Sequence, residues 1–398
     1  MRLKSRRNKG YKIKKYDRIF DTSSRRRKKK IRNTVIFVVI LLLLVFVGYS
    51  ISGPLINLLK GEKTERPGES SSQISSAGQG DLNSSSITSS EQPNISETEL
   101  FAAYLPLETA KNPVTLGTFL DNIKSKGYNA VVLQLKDETG NIYYQSGVEM
   151  AKTVGAVSPT AVLDISQIVT QIKQASVTPI AQIHAFKDRI GTKNSAAKIK
   201  YANNDSWSWL DAQNGKPWLN PYSAEAQKYI TDISLELVGA GFERVMVSSV
   251  MFPNVYSFSL ANFGPLEATV SHKDILMQFT ASLKTALNDK GAKLLLEYDA
   301  AAAANAENVI YGAADPKTFA ADTYVAAVGA DYLANQPSDN TSSQSASKLE
   351  TLVSQAALSK TALMVEMQAD ALSSEQIEYV KTACKDCALY FANKTANY

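Results

Sequence analysis

Five carboxylates stand where chemistry is expected: Asp137, Asp188, Glu297, Asp299 and Glu366 each fall at or just after the end of a short apolar run. Such groups can act as acid, base or nucleophile. Glycoside hydrolysis needs two of them across the scissile bond, about 5–5.5 Å apart for retention or about 6.5–9.5 Å for inversion. Glu297 and Glu366 are the favoured pair, because each terminates an apolar strand and should point inward or upward from it. Asp137 and Asp188 belong with the substrate-binding rim, although Asp137, beside Lys136, also reads as an ion-paired turn. His184 lies in the alternating stretch Ile183-His-Ala-Phe186, where a satisfied inward-facing histidine and a substrate contact are equally good readings.

All three tryptophans, Trp207, Trp209 and Trp218, fall in one segment, followed closely by Asn220 and Tyr222. Flat aromatic faces match the C–H surface of a sugar ring, so this segment is a candidate glycan platform. The competing reading is that the rings pack the loop onto the core. Cys384-Lys-Asp-Cys387 closes a helix instead of opening one, so its thiols lack the dipole that activates a redox pair. They read as structural cysteines or a local disulfide. A zinc site would need two further ligands, and none is spaced nearby. No metal or cofactor is implied. No Gly-x-Ser-x-Gly elbow, His-Glu-x-x-His helix, kinase set or glycine-rich nucleotide loop occurs.

These residues must be held by something regular. Short apolar runs at Phe101–Leu105, Asn129–Leu135, Thr178–Ala185, Arg244–Val250, Lys293–Glu297, Asp331–Asn335, Ala362–Met367 and Ala388–Phe391 alternate with helix-period stretches. The latter cover Thr115–Lys126, Pro159–Ala175, Ser223–Gly239, Lys273–Asp289, Ser345–Leu358 and Ser374–Cys384, with Thr115, Ser223 and Ser373 as cap residues. Continuous apolar strands separated by helices imply a parallel sheet covered on both faces. Eight of them predict an α/β fold, a (β/α)8 TIM barrel over 100–398. Working residues of such barrels lie at strand C-termini and in the loops after them.

The formal charge of +5 hides a division. Residues 1–33 carry 16 Lys/Arg against Asp17 and Asp21, so the rest of the chain is acidic and nothing in it calls for nucleic acid. The apolar stretch at 34–59 is long enough to cross a bilayer as one helix. Its basic flank places the N-terminus in the cytoplasm and the barrel outside the cell membrane. Residues 60–99, rich in serine, read as a flexible tether.

Three blocks carry a family likeness: Asn129-Ala-Val-Val-Leu-Gln-Leu-Lys-Asp-Glu-Thr-Gly140, Pro179-Ile-Ala-Gln-Ile-His-Ala-Phe-Lys-Asp188, and Trp218-Leu-Asn-Pro-Tyr222 leading to Gly241-Phe242. In this order they resemble the bacterial glycosyl-hydrolase-like (β/α)8 domain family formerly classed as a domain of unknown function. The resemblance implies a barrel with a carbohydrate-active ancestry. It breaks at the fourth strand, where the family usually ends in Phe-Asp-Tyr-Ile-Arg-Phe-Pro. This chain reads Val247-Ser-Ser-Val-Met-Phe-Pro253, so Ser248 replaces the strand-end Asp, Ser249 the Tyr and Met251 the Arg. A serine cannot supply the ionised carboxylate or proton donor of that chemistry. The expectation is a membrane-anchored extracytoplasmic barrel that binds cell-wall or other glycan without cleaving it, with Ser248 at the binding site. The alternatives are an active hydrolase using Glu297 and Glu366, or a structural module of the envelope.

Overall fold

The computed structural model describes residues 96–159, 162–212, 214–254, 258–305, 308–334, 349, 351–352, 362–368, 372–384 and 387–392. The membrane segment expected at 34–59 and most of the tether lie outside the described residues. Among the described residues, no helix is long and apolar enough to cross a membrane.

Eight parallel strands close into a barrel: β1 (Phe101–Tyr104), β2 (Ala130–Lys136), β3 (Thr178–His184), β4 (Arg244–Ser248), β5 (Lys293–Asp299), β6 (Thr323–Val328), β7 (Ala362–Met367) and β8 (Ala388–Phe391). Each pairs with its sequence neighbours, and β8 returns to β1 with Phe101 opposite Leu389. One strand differs from expectation. The sixth is Thr323–Val328, and Asp331–Ala334 of the expected run instead lie in a short helix, Ala330–Ala334. The run Thr-Tyr-Val-Ala-Ala-Val is buried throughout and carries the β-branched residues a barrel strand uses, whereas Asp-Tyr-Leu-Ala does not.

The helices form where apolar residues recur at helical spacing and a side chain caps the start. Pro113–Ser125 buries Leu116, Leu120 and Ile123. Its cap is Asn112, whose side chain accepts from the amides of Val114 and Thr115, so Thr115 sits inside the first turn. Ser223 caps Ala224–Gly239, Ser271 caps His272–Asn288, and Ser373 forms a capping box with Gln376 ahead of Ser374–Ala383. Of the helix expected over Ser345–Leu358, the described residues Leu349, Thr351 and Leu352 are helical.

Alternation along the strands divides the core in two. One face packs under the helices. The other fills the lumen with residues such as Tyr104, Val132, Ile180, Met246, Leu295 and Tyr390. The amino-terminal end of the lumen is closed by Glu97, a residue that composition alone assigns to the tether. Its carboxylate meets the Arg244 guanidinium at 2.7 Å and Lys293 Nζ at 2.8 Å. Burial alone would raise the Glu97 pKa, but these two cations outweigh it and hold the carboxyl below its ordinary value.

Two long loops leave the carboxyl ends of β3 and β4. They meet in a small antiparallel sheet made of Lys200–Tyr201, Asn204–Ser208 and Ala261–Asn262.

Candidate functional site

Alternation brings polar side chains together in the top layer of the lumen, at the carboxyl ends of the strands. Gln134 follows Ala130 and Val132 on the inner face of β2, and Gln182 follows Ile180 on β3. Ser248 ends β4 opposite His184, Glu297 lies on β5, and Glu366 lies on β7.

These groups form two bonded sets. In the first, Gln182 Nε2 donates to Ser248 Oγ at 3.1 Å and to Glu297 Oε2 at 2.8 Å, and Ser248 Oγ itself donates to Glu297 Oε2. The Glu297 carboxyl also interacts with that of Glu366. Two carboxyl groups share a hydrogen bond only when one of them carries a proton. Burial raises the Glu297 pKa, and this outweighs the stabilising bonds from Ser248, Gln182 and Glu366, with the charge of Asp299 adding to the rise.

In the second set, His184 Nδ1 lies 2.8 Å from Ser249 Oγ and His184 Nε2 lies 3.1 Å from Gln134 Nε2. The roles of the two ring nitrogens in these bonds follow the imidazole tautomer. Ser249 holds a left-handed backbone, φ 57°, which is uncommon for a residue with a side chain. Strained backbone of this kind concentrates at functional sites. The mouth is therefore lined by amides, hydroxyls and one imidazole around the half-buried Glu297 and the buried Glu366. That inventory can donate to and accept from sugar hydroxyls.

The other expected site residues are tied into the scaffold. Asp137 does not pair with Lys136. Its carboxylate accepts from the amides of Thr139, Gly140 and Asn141, from the Asn141 side chain and from the Tyr143 hydroxyl. Burial opposes ionisation there, but these bonds prevail and lower the Asp137 pKa. Asp188 is buried and pairs with Lys136 at 2.8 Å, while Asp188 Oδ1 accepts from the Gly191 amide. Trp209 is buried against Phe258, and Trp218 is buried with its indole N–H donating to Asp211. Asn220 Nδ2 donates to the Phe263 carbonyl and Tyr222 Oη to that of Val270. Only Trp207 among the three tryptophans presents its ring to solvent, at 64% exposure. His272 stacks on Phe252 with ring centroids 4.1 Å apart, packed more deeply than a surface residue. Cys384 and Cys387 form no disulfide in this structure, and the hydrogen-bonded Cys387 thiol, with burial, pushes the Cys384 thiol pKa up.

Sequence reasoning passed over Gln134 and Gln182, and named Ser249 only as the residue in place of the family's Tyr. The signal for the two glutamines was present: each sits two residues beyond a lumen-facing apolar residue, on the face that reaches the barrel mouth.

Residues 102–309 match the family described as "Putative glycosyl hydrolase domain". The chain belongs to this family. The strand-end blocks at Lys136–Gly140 and Phe186–Asp188 and the end of β4 at Ser248 all lie within the matched residues. The fold is similar to that of the PgaB (BpsB) glycoside hydrolase domain of Bordetella bronchiseptica, at 13% identity and a TM-score of 0.53, covering 74% of this chain and 94% of that one. A hypothetical protein of Ruminiclostridium thermocellum is 22% identical with a TM-score of 0.43, covering 52% and 99% respectively. At such identities the likeness speaks to fold alone. No curated protein matches the sequence.

Proposed function

We propose that this family member is a membrane-tethered, extracytoplasmic barrel that binds a cell-wall or other glycan at its mouth without hydrolysing it. One observation carries the reading: the Glu297 carboxyl is already held by Gln182 and Ser248 and interacts with Glu366. A hydrolase holds its two carboxyls about 5 Å or more apart so that the glycosidic bond, and in inverting enzymes a water, fits between them. Two carboxyls close enough to interact directly do not suit that arrangement, and Ser248 stands where the family's strand-end acid would be. What the mouth retains suits binding. Gln134, Gln182, His184 and Ser249 supply donors and acceptors, and the exposed Trp207 on the same carboxyl-end loops offers a stacking face. Tethering rests on the basic arm and the apolar stretch at 34–59.

The test uses the full-length protein in detergent micelles, applied to a glycan array and to polysaccharide turnover assays. Saturable binding without product release is the expected outcome. Release of oligosaccharides by wild type that stops in Glu297→Gln and Glu366→Gln would overturn the non-hydrolytic reading.

A further inference from the structure

A cleft of about 530 Å³ opens between the small antiparallel sheet and the start of the helix Ala224–Gly239. Its wall carries Lys198, which is 8% exposed. The ammonium of Lys198 donates to the backbone carbonyl of Ser206 at 2.8 Å, and among the described residues it has no carboxylate partner. Lys200, half-buried two residues along the same extended segment, lines the cleft too and likewise makes no ion pair among the described residues. Two acids also line the cleft and are hydrogen-bonded within it: Asp205 accepts from Asn262 Nδ2 at 2.9 Å, and Glu225 from Ser223 Oγ at 3.2 Å.

An ammonium has three donors, so Lys198 has two left after the Ser206 bond. A buried cation without a counter-ion is unfavourable, and an incoming anion removes that penalty. Trp207, 64% exposed, lies two residues from cleft-lining Asp205 on the strand Asn204–Ser208, beside the cleft and not in its wall.

We propose that this cleft is a subsite for an anionic group on a saccharide, with Lys198 and Lys200 holding the charge and Trp207 stacking on the adjoining ring. The inference rests on the glycan-binding reading and narrows it to acidic glycans. Lysine presents a point charge instead of a planar fork, so the subsite accepts the oxygens of either a carboxylate or a phosphate ester.

The test is calorimetric titration of the full-length protein in detergent micelles with three oligosaccharides of matched length: neutral N-acetylglucosamine, uronic acid, and phosphate-linked sugar. At least one acidic oligomer binds about tenfold tighter than the neutral one, and the preference disappears in Lys200→Gln and in Lys198→Gln. The stronger acidic arm tells carboxylate from phosphate. Lys200→Gln alters a half-buried position and keeps the test valid should Lys198→Gln fail to fold. Equal binding of neutral and acidic oligomers, or a preference that survives both substitutions, overturns the subsite while leaving glycan binding intact. Failure of all three to bind overturns the glycan reading and the subsite together.

Discussion

Lys136 Nζ and Asp188 Oδ2 meet at 2.8 Å with neither side chain exposed. The ammonium also donates to the His184 carbonyl at 2.6 Å and lies 5.7 Å from the centre of the Tyr229 ring. A second pair, Lys187 with Glu138, joins the same two loops at the surface. The strand-end blocks that mark the family are therefore a clamp between the ends of β2 and β3. Their charge is structural, and it positions His184 at the barrel mouth.

Breaking the clamp from one side should be costly, because it leaves the other charge buried alone. Asp188→Asn and Lys136→Met should each destabilise the protein by about 3–5 kcal/mol. The double change Lys136→Met with Asp188→Leu should cost distinctly less than the sum. Urea denaturation midpoints measure both, and an additive double mutant would contradict the pairing.

Gly140 is held by the same clamp. Its φ is +100°, and an added Cβ would lie 1.9 Å from Asp188 Oδ1. Gly140→Ala should thus lose about 3 kcal/mol or more, through strain and displacement of Asp188. Gly127→Ala makes the control. It has positive φ but no atom within 4 Å of the added carbon, so its loss should be confined to the backbone term of about 1–2 kcal/mol. Thermal melts of the two variants decide the point.

The carboxyl pair gives stability a definite pH dependence. Burial raises the Glu297 pKa above its ordinary 4.5 in the folded state, so the native protein holds a proton that the unfolded chain releases. That contribution is complete below pH 4.5 and is lost as pH rises through the folded value, at up to about 1.4 kcal/mol per pH unit. Glu297→Gln should flatten this decline. Asp137 acts in the opposite sense: its lowered pKa stabilises the fold above its ordinary 3.8, and that contribution is lost in stronger acid. Denaturation curves from pH 3 to about pH 9, wild type against Glu297→Gln, read the difference in slope. Identical slopes would count against a protonated pair.

The tryptophans should separate into two kinds. Trp207→Ala removes an exposed ring and should change stability by no more than about 0.5 kcal/mol while weakening glycan binding. Trp218→Ala empties a buried site and strips Asp211 of its indole donor, at a cost of about 3–5 kcal/mol. Paired melts and array binding test both, and undiminished binding by Trp207→Ala would remove that ring from the site.

Much of the architecture was legible in the chain. Seven of the eight strands lie within or beside the apolar runs that announce them, because a barrel strand is buried on both faces and shows as a continuous run. The sixth was misplaced because two short apolar stretches lie one residue apart, and composition over so few residues separates strand from helix poorly. The blocks at Lys136–Gly140 and Phe186–Asp188 identified the family, since local sequence carries them whole.

By itself, then, the sequence determined the parallel barrel, the family and the absence of an acid at Ser248. Tertiary structure alone decided the partners. Lys136 chooses Asp188 over its neighbour Asp137, since β2 and β3 bring the former within 2.8 Å while the turn amides occupy the latter. Glu297 meets Glu366 although 69 positions separate their numbers, because closure of the barrel brings the inner faces of β5 and β7 to one mouth. Trp209 and Trp218 turn inward while Trp207 faces water, a difference of a few residues along one loop. Residue type and spacing set which side chains are available, but charge pairing and burial depend on through-space distances that only chain closure creates.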